Sequence, residues 1–316
     1  MTIQRRTNPM WGLVLLALAA VLLGRALGYI PTGVFDLVLR AWPVLLVLAG
    51  LSFILRNRIP FGGGIALIIS GAVVVGLATA AYSGRASQQR TDYRQTIDQP
   101  LSGDVTLLRL RVEGLTTGVE FLASPSNTPS VTGEFAGSVE SRLEVNYEQA
   151  ADSSATLTLR EVQPGGFPTL ESVGRGTLRV NLPTDVPIDL EFTGRDGDVV
   201  LNMDGLQVER LNVFVSRGDV VVTLPEYQPV LSDEGGSHGS VTTRDGDLAI
   251  FVPPQVAARL ELNREGSGIE PTYDANIYNY LVGDVLEARA IDTASVVVGY
   301  TLTVPRGRIR VEVPAP

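Results

Sequence analysis

Two pairs of carboxylates suggest chemistry first. Asp196 and Asp198 flank Gly197, and Asp245 and Asp247 flank Gly246. Paired acids serve glycoside hydrolysis, and carboxylate oxygens also bind calcium. Their repetition argues for a plainer role, because a catalytic pair occurs once in a domain whereas a structural turn recurs. A third phrase, Arg217-Gly218-Asp219, spells an adhesion tripeptide but fills the slot that Arg195 to Asp198 and Arg244 to Asp247 fill in the other copies. The repeat turns are therefore Arg195, Gly197 and Asp198; Arg217, Gly218 and Asp219; and Arg244, Gly246 and Asp247. A recurring arginine beside a recurring aspartate suggests a ladder of stacked ion pairs, each exposed pair contributing about 0 to 1 kcal/mol.

His238 is the one histidine. Ser237, Ser240 and Asp233 lie near it in sequence, but no strand-turn-helix context surrounds it, and no second histidine exists for a metal. It reads as part of a solvated glycine-rich loop. Tyr273, Tyr278 and Tyr280 form the densest aromatic cluster, read as a contact patch for a partner or a sugar, or as a cap on an open end of the fold. Asp36 and Arg40 stand at helical spacing in an apolar region, where an i, i+4 pair at the interface needs no function. With no cysteine there is no disulfide framework, thiolate zinc site or cysteine nucleophile. No lysine occurs, which excludes Schiff-base chemistry and a P-loop lysine. No catalytic residue, cofactor site or metal site is expected.

The elements that must position these residues follow from the repeat. Aligned on Gly197, Gly218 and Gly246, the copies stand 21 and then 28 residues apart, leaving room for an insertion between the second and third. Each copy opens with an arginine and a Gly-Asp turn and then alternates apolar residues, the period of a strand. One such unit cannot bury its own apolar face, so successive units must stack or pair. Further alternations at 105–112, 117–122, 155–159, 177–182, 188–192, 295–304 and 308–313 extend the strand pattern. Gly-Asp-Val at 103–105 and 283–285 suggests further copies. After residue 100 only 275–281 hints at a helix.

The N-terminal part differs sharply. Residues 1 to 82 hold six arginines and one acid, net +5, whereas residues 83 to 316 hold 33 acids and 19 arginines, net −14. So acidic a C-terminal part would repel phosphate backbones, and no nucleic-acid partner is expected. Apolar runs at 10–30, 34–55 and 61–82 approach the roughly 20 residues that span a bilayer. The expected organisation is a helical membrane domain of about three spans at 1–82, a polar linker at 83–100 and an all-β solenoid at 101–316. Arg5, Arg6, Arg56 and Arg58 favour a cytoplasmic N-terminus, which places the C-terminal domain outside a bacterial plasma membrane.

Two stretches resemble a known family. WGLVLLALAAVLLGRALGYI (11–30) followed by AWPVLLVLAGLSFIL (41–55) resembles the LiaI/LiaF-like transmembrane region of bacterial envelope-stress proteins. The shared pattern is a Trp-Gly start, then a Trp-Pro opening a second apolar helix that ends in Gly-Leu. GDVVLNMDGLQVERLNVFVSRGDVVVTLP (197–225) is similar to the toast-rack β-solenoid at the C-terminus of LiaF and in adhesin-like proteins. The resemblance implies a non-enzymatic membrane protein, a regulator acting on a sensor histidine kinase in cell-envelope stress. Three spans are one fewer than the four often assigned to LiaF, and residues 101 to 175 have no counterpart. An adhesin-like module binding cell-wall polymer is the alternative, and a polysaccharide-acting enzyme using the repeated acids a third reading.

Overall fold

The computed structural model describes residues 88–124, 129–163, 174–231, 236–264 and 270–314. The chain divides into two compact units, Met1–Gln88 with Gly165–Val173, and Gln89–Pro164 with Gly174–Pro316. The expected membrane spans, with Asp36 and Arg40, lie outside the described residues. Among the described residues no helix is long and apolar enough to cross a membrane.

The described residues of the second unit form an all-β structure. Its strands are β1 (Tyr93–Pro100), β2 (Leu107–Gly114), β3 (Thr117–Ala123), β4 (Ser130–Gly137), β5 (Arg142–Gln149), β6 (Ser154–Val162), β7 (Gly176–Leu182), β8 (Ile188–Asp196) and β9 (Val199–Asn202). They continue with β10 (Val208–Arg217), β11 (Val220–Thr223), β12 (Gly239–Asp245), β13 (Leu248–Phe251), β14 (Val256–Asn263), β15 (Tyr278–Leu281), β16 (Val285–Ala288), β17 (Val296–Thr303) and β18 (Ile309–Glu312). One sheet runs β1-β4-β7-β3-β9-β11-β13-β18, and the other β15-β16-β14-β17-β12-β10-β8-β2-β6-β5.

Five times the chain runs along the second sheet, turns, and returns along the first, from β2 to β3, β8 to β9, β10 to β11, β12 to β13 and β17 to β18, and β6 and β7 take matching places in the two sheets. The sheet order β6-β2-β8-β10-β12-β17 matches β7-β3-β9-β11-β13-β18, and within each series adjacent strands are parallel. Parallel, in-register stacking sets like residues above like at the strand spacing of about 4.8 Å. Leu178, Val119, Val199, Val220, Leu248 and Ile309 form one buried column in the first sheet. Leu159, Val112, Phe192, Val213, Val241 and Leu302 form another in the second. The period-2 alternation thus supplies one wall of the core from each strand, and the turn between two strands faces the two walls inward.

Several expectations change. Tyr93–Pro100, expected within the polar linker, is edge strand β1, paired antiparallel along all of β4. Its burial falls mainly on Ile97, too little apolar content to read as a strand without its partner. The helical hint at 275–281 resolves into a turn and β15, which lies antiparallel to β16. Gly103-Asp104 precedes β2, and Gly283-Asp284 is the turn of the β15–β16 hairpin. Neither joins the two sheets, so the repeat does not extend through them.

Candidate functional site

The repeat turns stack into an edge of the unit. Gly197, Gly218, Gly246 and Gly307 have φ of 142°, 143°, 156° and 148°, values that L side chains rarely adopt. A Cβ on Gly218 would overlap the carbonyl oxygen of Gly197, one on Gly246 that of Gly218, and one on Gly307 that of Gly246. Gly307 is a fourth turn of the same kind. The sequence conceals it because Arg308 stands where the other turns have aspartate, and because β14 to β16 intervene.

The aspartates after these glycines bond along the stack. Asp198 Oδ1 accepts the amide of Asp219 at 3.1 Å, Asp219 Oδ1 that of Asp247 at 2.8 Å, and Asp247 Oδ1 that of Arg308 at 2.9 Å. Asp198 also takes the Arg175 guanidinium at 3.2 Å. The residue before each glycine forms a second column: Asp196, Arg217, Asp245 and Arg306 lie in register. Their charges alternate, with Arg217 to Asp196 at 2.6 Å and Arg306 to Asp245 at 3.2 Å. Two ion pairs stand where a ladder is expected, and their arginines are not the aligned ones throughout. The second copy is one residue shorter before its glycine, so Arg217 takes the place of Asp196 and Asp245. Arg195 and Arg244 stand one position earlier, and Arg244 lies over the Phe214 ring.

The turn between β2 and β3 has no aspartate. Glu161, buried in β6, fills that role, accepting the amides of Leu115 at 2.6 Å and Thr116 at 3.0 Å. Across the stacked turns, then, carboxylates accept main-chain amides and arginines. Among the described residues no group of three or more His, Asp or Glu side chains is placed to hold a metal ion.

His238 is buried, against the expectation of a solvated loop. Its Nδ1 accepts the Gly299 amide at 2.9 Å, and its own amide donates to Gly299 O at 2.7 Å. It therefore adds backbone bonds between β10 and β17 just before β12 begins. Neither Ser237, whose hydroxyl bonds Gly239 O, nor Ser240, which bonds Asn212, is joined to it. Asp233 lies outside the described residues.

Nearby, β10 shifts register between Val208 and Arg210, and Glu209 at the bulge is buried. Its carboxylate accepts the Tyr227 hydroxyl at 2.6 Å and the amides of Val230 and Leu231, each at 2.8 Å. Burial alone would raise its pKa, but the Tyr227 hydroxyl, the two amides and nearby His238 outweigh it and hold the group below its ordinary value. Burial and this bond push Tyr227 up to about 12. No sequence motif announces Glu209; only the 28-residue spacing after Gly218 marks the insertion that holds its partners.

The three tyrosines separate. Tyr278 is buried in the core, and burial pushes its hydroxyl to about 12. Tyr273 is half-buried and stacks on the exposed Tyr280 with ring centroids 6.1 Å apart. The Tyr280 hydroxyl donates to Asp284, and Arg264 reaches both at 2.8 Å. Thr272 exchanges main-chain bonds with β18, so the segment carrying Tyr273 covers that edge of the first sheet.

Residues 10–54 match the model of the LiaI-LiaF-like transmembrane region. The match indicates membrane association for that part of the chain. A candidate cell adhesion protein from Clostridium sporogenes is similar in structure, with 12% identity and a TM-score of 0.58, over 70% of this chain and 100% of that one. At that identity the likeness is one of fold. A candidate adhesin from Bacteroides fragilis aligns over 71% of this chain and 99% of its own, with 11% identity and a TM-score of 0.24. A search of curated proteins gives no match.

Proposed function

We propose that this protein is a non-enzymatic, membrane-anchored interaction protein. About three spans within 1–82 hold it in the bacterial plasma membrane, and the two-sheet stack, a toast-rack-like β-solenoid, meets its partner outside. The observation that carries this reading is the engagement of the repeated carboxylates. Asp196, Asp198, Asp219, Asp245 and Asp247 each hold an arginine or the amide of the next turn. The residues that looked most catalytic thus act as the scaffold's fastenings. The LiaI-LiaF-like match at 10–54 supports a regulator acting on a sensor histidine kinase.

Co-reconstitution of the full chain with the histidine kinases of its own genome tests this. One kinase is expected to change its autophosphorylation rate when the chain is present and to co-purify with it. If every kinase is indifferent, the regulatory role is lost. A second reading, an adhesin-like module binding cell-wall polymer, is favoured by the fold likeness to the candidate cell adhesion protein. It requires co-sedimentation of the full chain with purified wall. Because the chain has no cysteine, Asp204→Cys labelled by a membrane-impermeant maleimide in intact cells reads sidedness directly. Labelling only after lysis would place the β unit inside.

A further inference from the structure

The β11–β12 connection is where the 21-residue spacing is exceeded, and a buried charge holds its described part, up to Leu231. Glu209 holds the amides of Val230 and Leu231, Gln228 accepts the Val297 amide at 2.8 Å, and Pro225 and Pro229 are buried. A buried carboxylate is tolerated only when fully bonded, and here two of its bonds serve the backbone of the loop tip. The side chains so presented are apolar: Val230 is 81% exposed and Leu231 41%. Among the described residues both stand exposed, although a flexible polar loop would close the same gap at less cost. Fixing a tip before it meets its target removes the ordering entropy that association would otherwise oppose. Exposed carboxylates flank the tip. Asp185 and Asp204, in earlier crossings on the same edge, and Glu226 in the loop itself are exposed, and the sequence holds no arginine between Arg217 and Arg244.

We propose that the Val230–Leu231 tip is a docking element that enters an apolar pocket with a basic rim on a protein partner. This rests on the interaction reading above and names its surface. An anionic bilayer suits the tip poorly, because two aliphatic side chains among carboxylates would meet headgroups of like charge. A second copy suits it poorly as well, because a two-fold contact would set the flanking carboxylates against themselves.

The test places the photo-crosslinker p-benzoylphenylalanine at Val230, Val200 or Val282 in the full chain, in its native membrane. Val200 and Val282 are exposed apolar positions elsewhere on the unit. A discrete protein adduct is expected from position 230, and about tenfold less from the other two. Leu231→Asp should lower the yield about tenfold, the effect of losing an ordinary hot spot. Salt at about 0.5 M should lower it further by screening the rim. Glu209→Gln, which leaves the exposed side chains in place but loosens the tip, should also lower it while the melting transition persists. If Glu209→Gln does not fold, Leu231→Asp decides alone, since it alters only the surface. Equal yields at all three positions, a yield unchanged by Leu231→Asp, or an adduct to lipid or to a second copy overturns the proposal. A protein adduct from position 282 alone overturns this surface and leaves the interaction reading standing. No protein adduct at any position removes both.

Discussion

At Gly218 a methyl group would have nowhere to go, because its Cβ would overlap the Gly197 carbonyl while φ is held at 143°. At Gly205, with φ of 73°, nothing lies within 4 Å of the same added atom. The two sites separate steric exclusion from backbone preference. Gly205→Ala should cost about 1 kcal/mol, the left-handed penalty alone. Gly218→Ala must add displacement of a neighbouring main chain, and a loss of at least about 3 kcal/mol is expected from urea melts. The aspartate beside it is more replaceable. Asp219→Asn keeps an oxygen for the Asp247 amide and should cost under about 1 kcal/mol. A result in the reverse order would mean that the carboxylates, not the glycines, set the turn.

Among the elements, the connections differ in how they are fastened. The β2–β3 turn depends on Glu161, whose carboxylate serves two amides from 45 residues away or more. Glu161→Ala should cost about 2 kcal/mol by stranding both amides, and Glu161→Gln, which retains an acceptor, should cost less, as read by thermal melts. The β11–β12 connection depends on Glu209. Because folding holds that carboxyl below its ordinary value of 4.5, its contribution is fully present above pH 4.5 and is lost as pH falls through the folded value. Wild type should therefore exceed Glu209→Gln in stability at neutral pH, and the gap should narrow in acid, as followed by urea melts from pH 7 to 3. These fastenings also show what was legible in the chain. Alternating apolar runs and Gly-Asp turns act between neighbours in sequence, so most of the parallel strands and three stacked turns could be read directly. Glu161, Glu209 and His238 act across 45, 21 and 61 residues, and their roles exist only once the stack brings their partners near. For the same reason β1 looked like linker, since β4 supplies what its own residues lack.

For the molecule as a whole, a register that recurs after 21 residues between Gly197 and Gly218 implies that a unit can be added there. Duplicating Gly197–Arg217 in tandem joins Arg217 to a second Gly197, the same Arg-Gly-Asp junction found at 217–219. The added strands would meet β8, β9, β10 and β11 with each apolar column continued, since Val199 pairs with Val220 and Phe192 with Val213. Glu209 of the later copy would still lie beneath the β11–β12 loop. One cost is visible: two arginines would adjoin in the column that now alternates Asp196, Arg217, Asp245 and Arg306, a loss of about 1 kcal/mol or less at an exposed edge. Against it stands another set of buried valines and leucines, as nearest-neighbour stacking predicts. The duplicated chain should fold with a melting temperature no lower than wild type and proportionally greater β signal by circular dichroism. Duplicating Gly197–Ser216 instead, one residue short, breaks the match between period and register. It would turn apolar side chains outward over part of the new unit, and that protein should aggregate or melt well below the first. If both duplications behave alike, the stacking register is not what holds the unit together, and the columns of glycine, aspartate and valine would need another explanation.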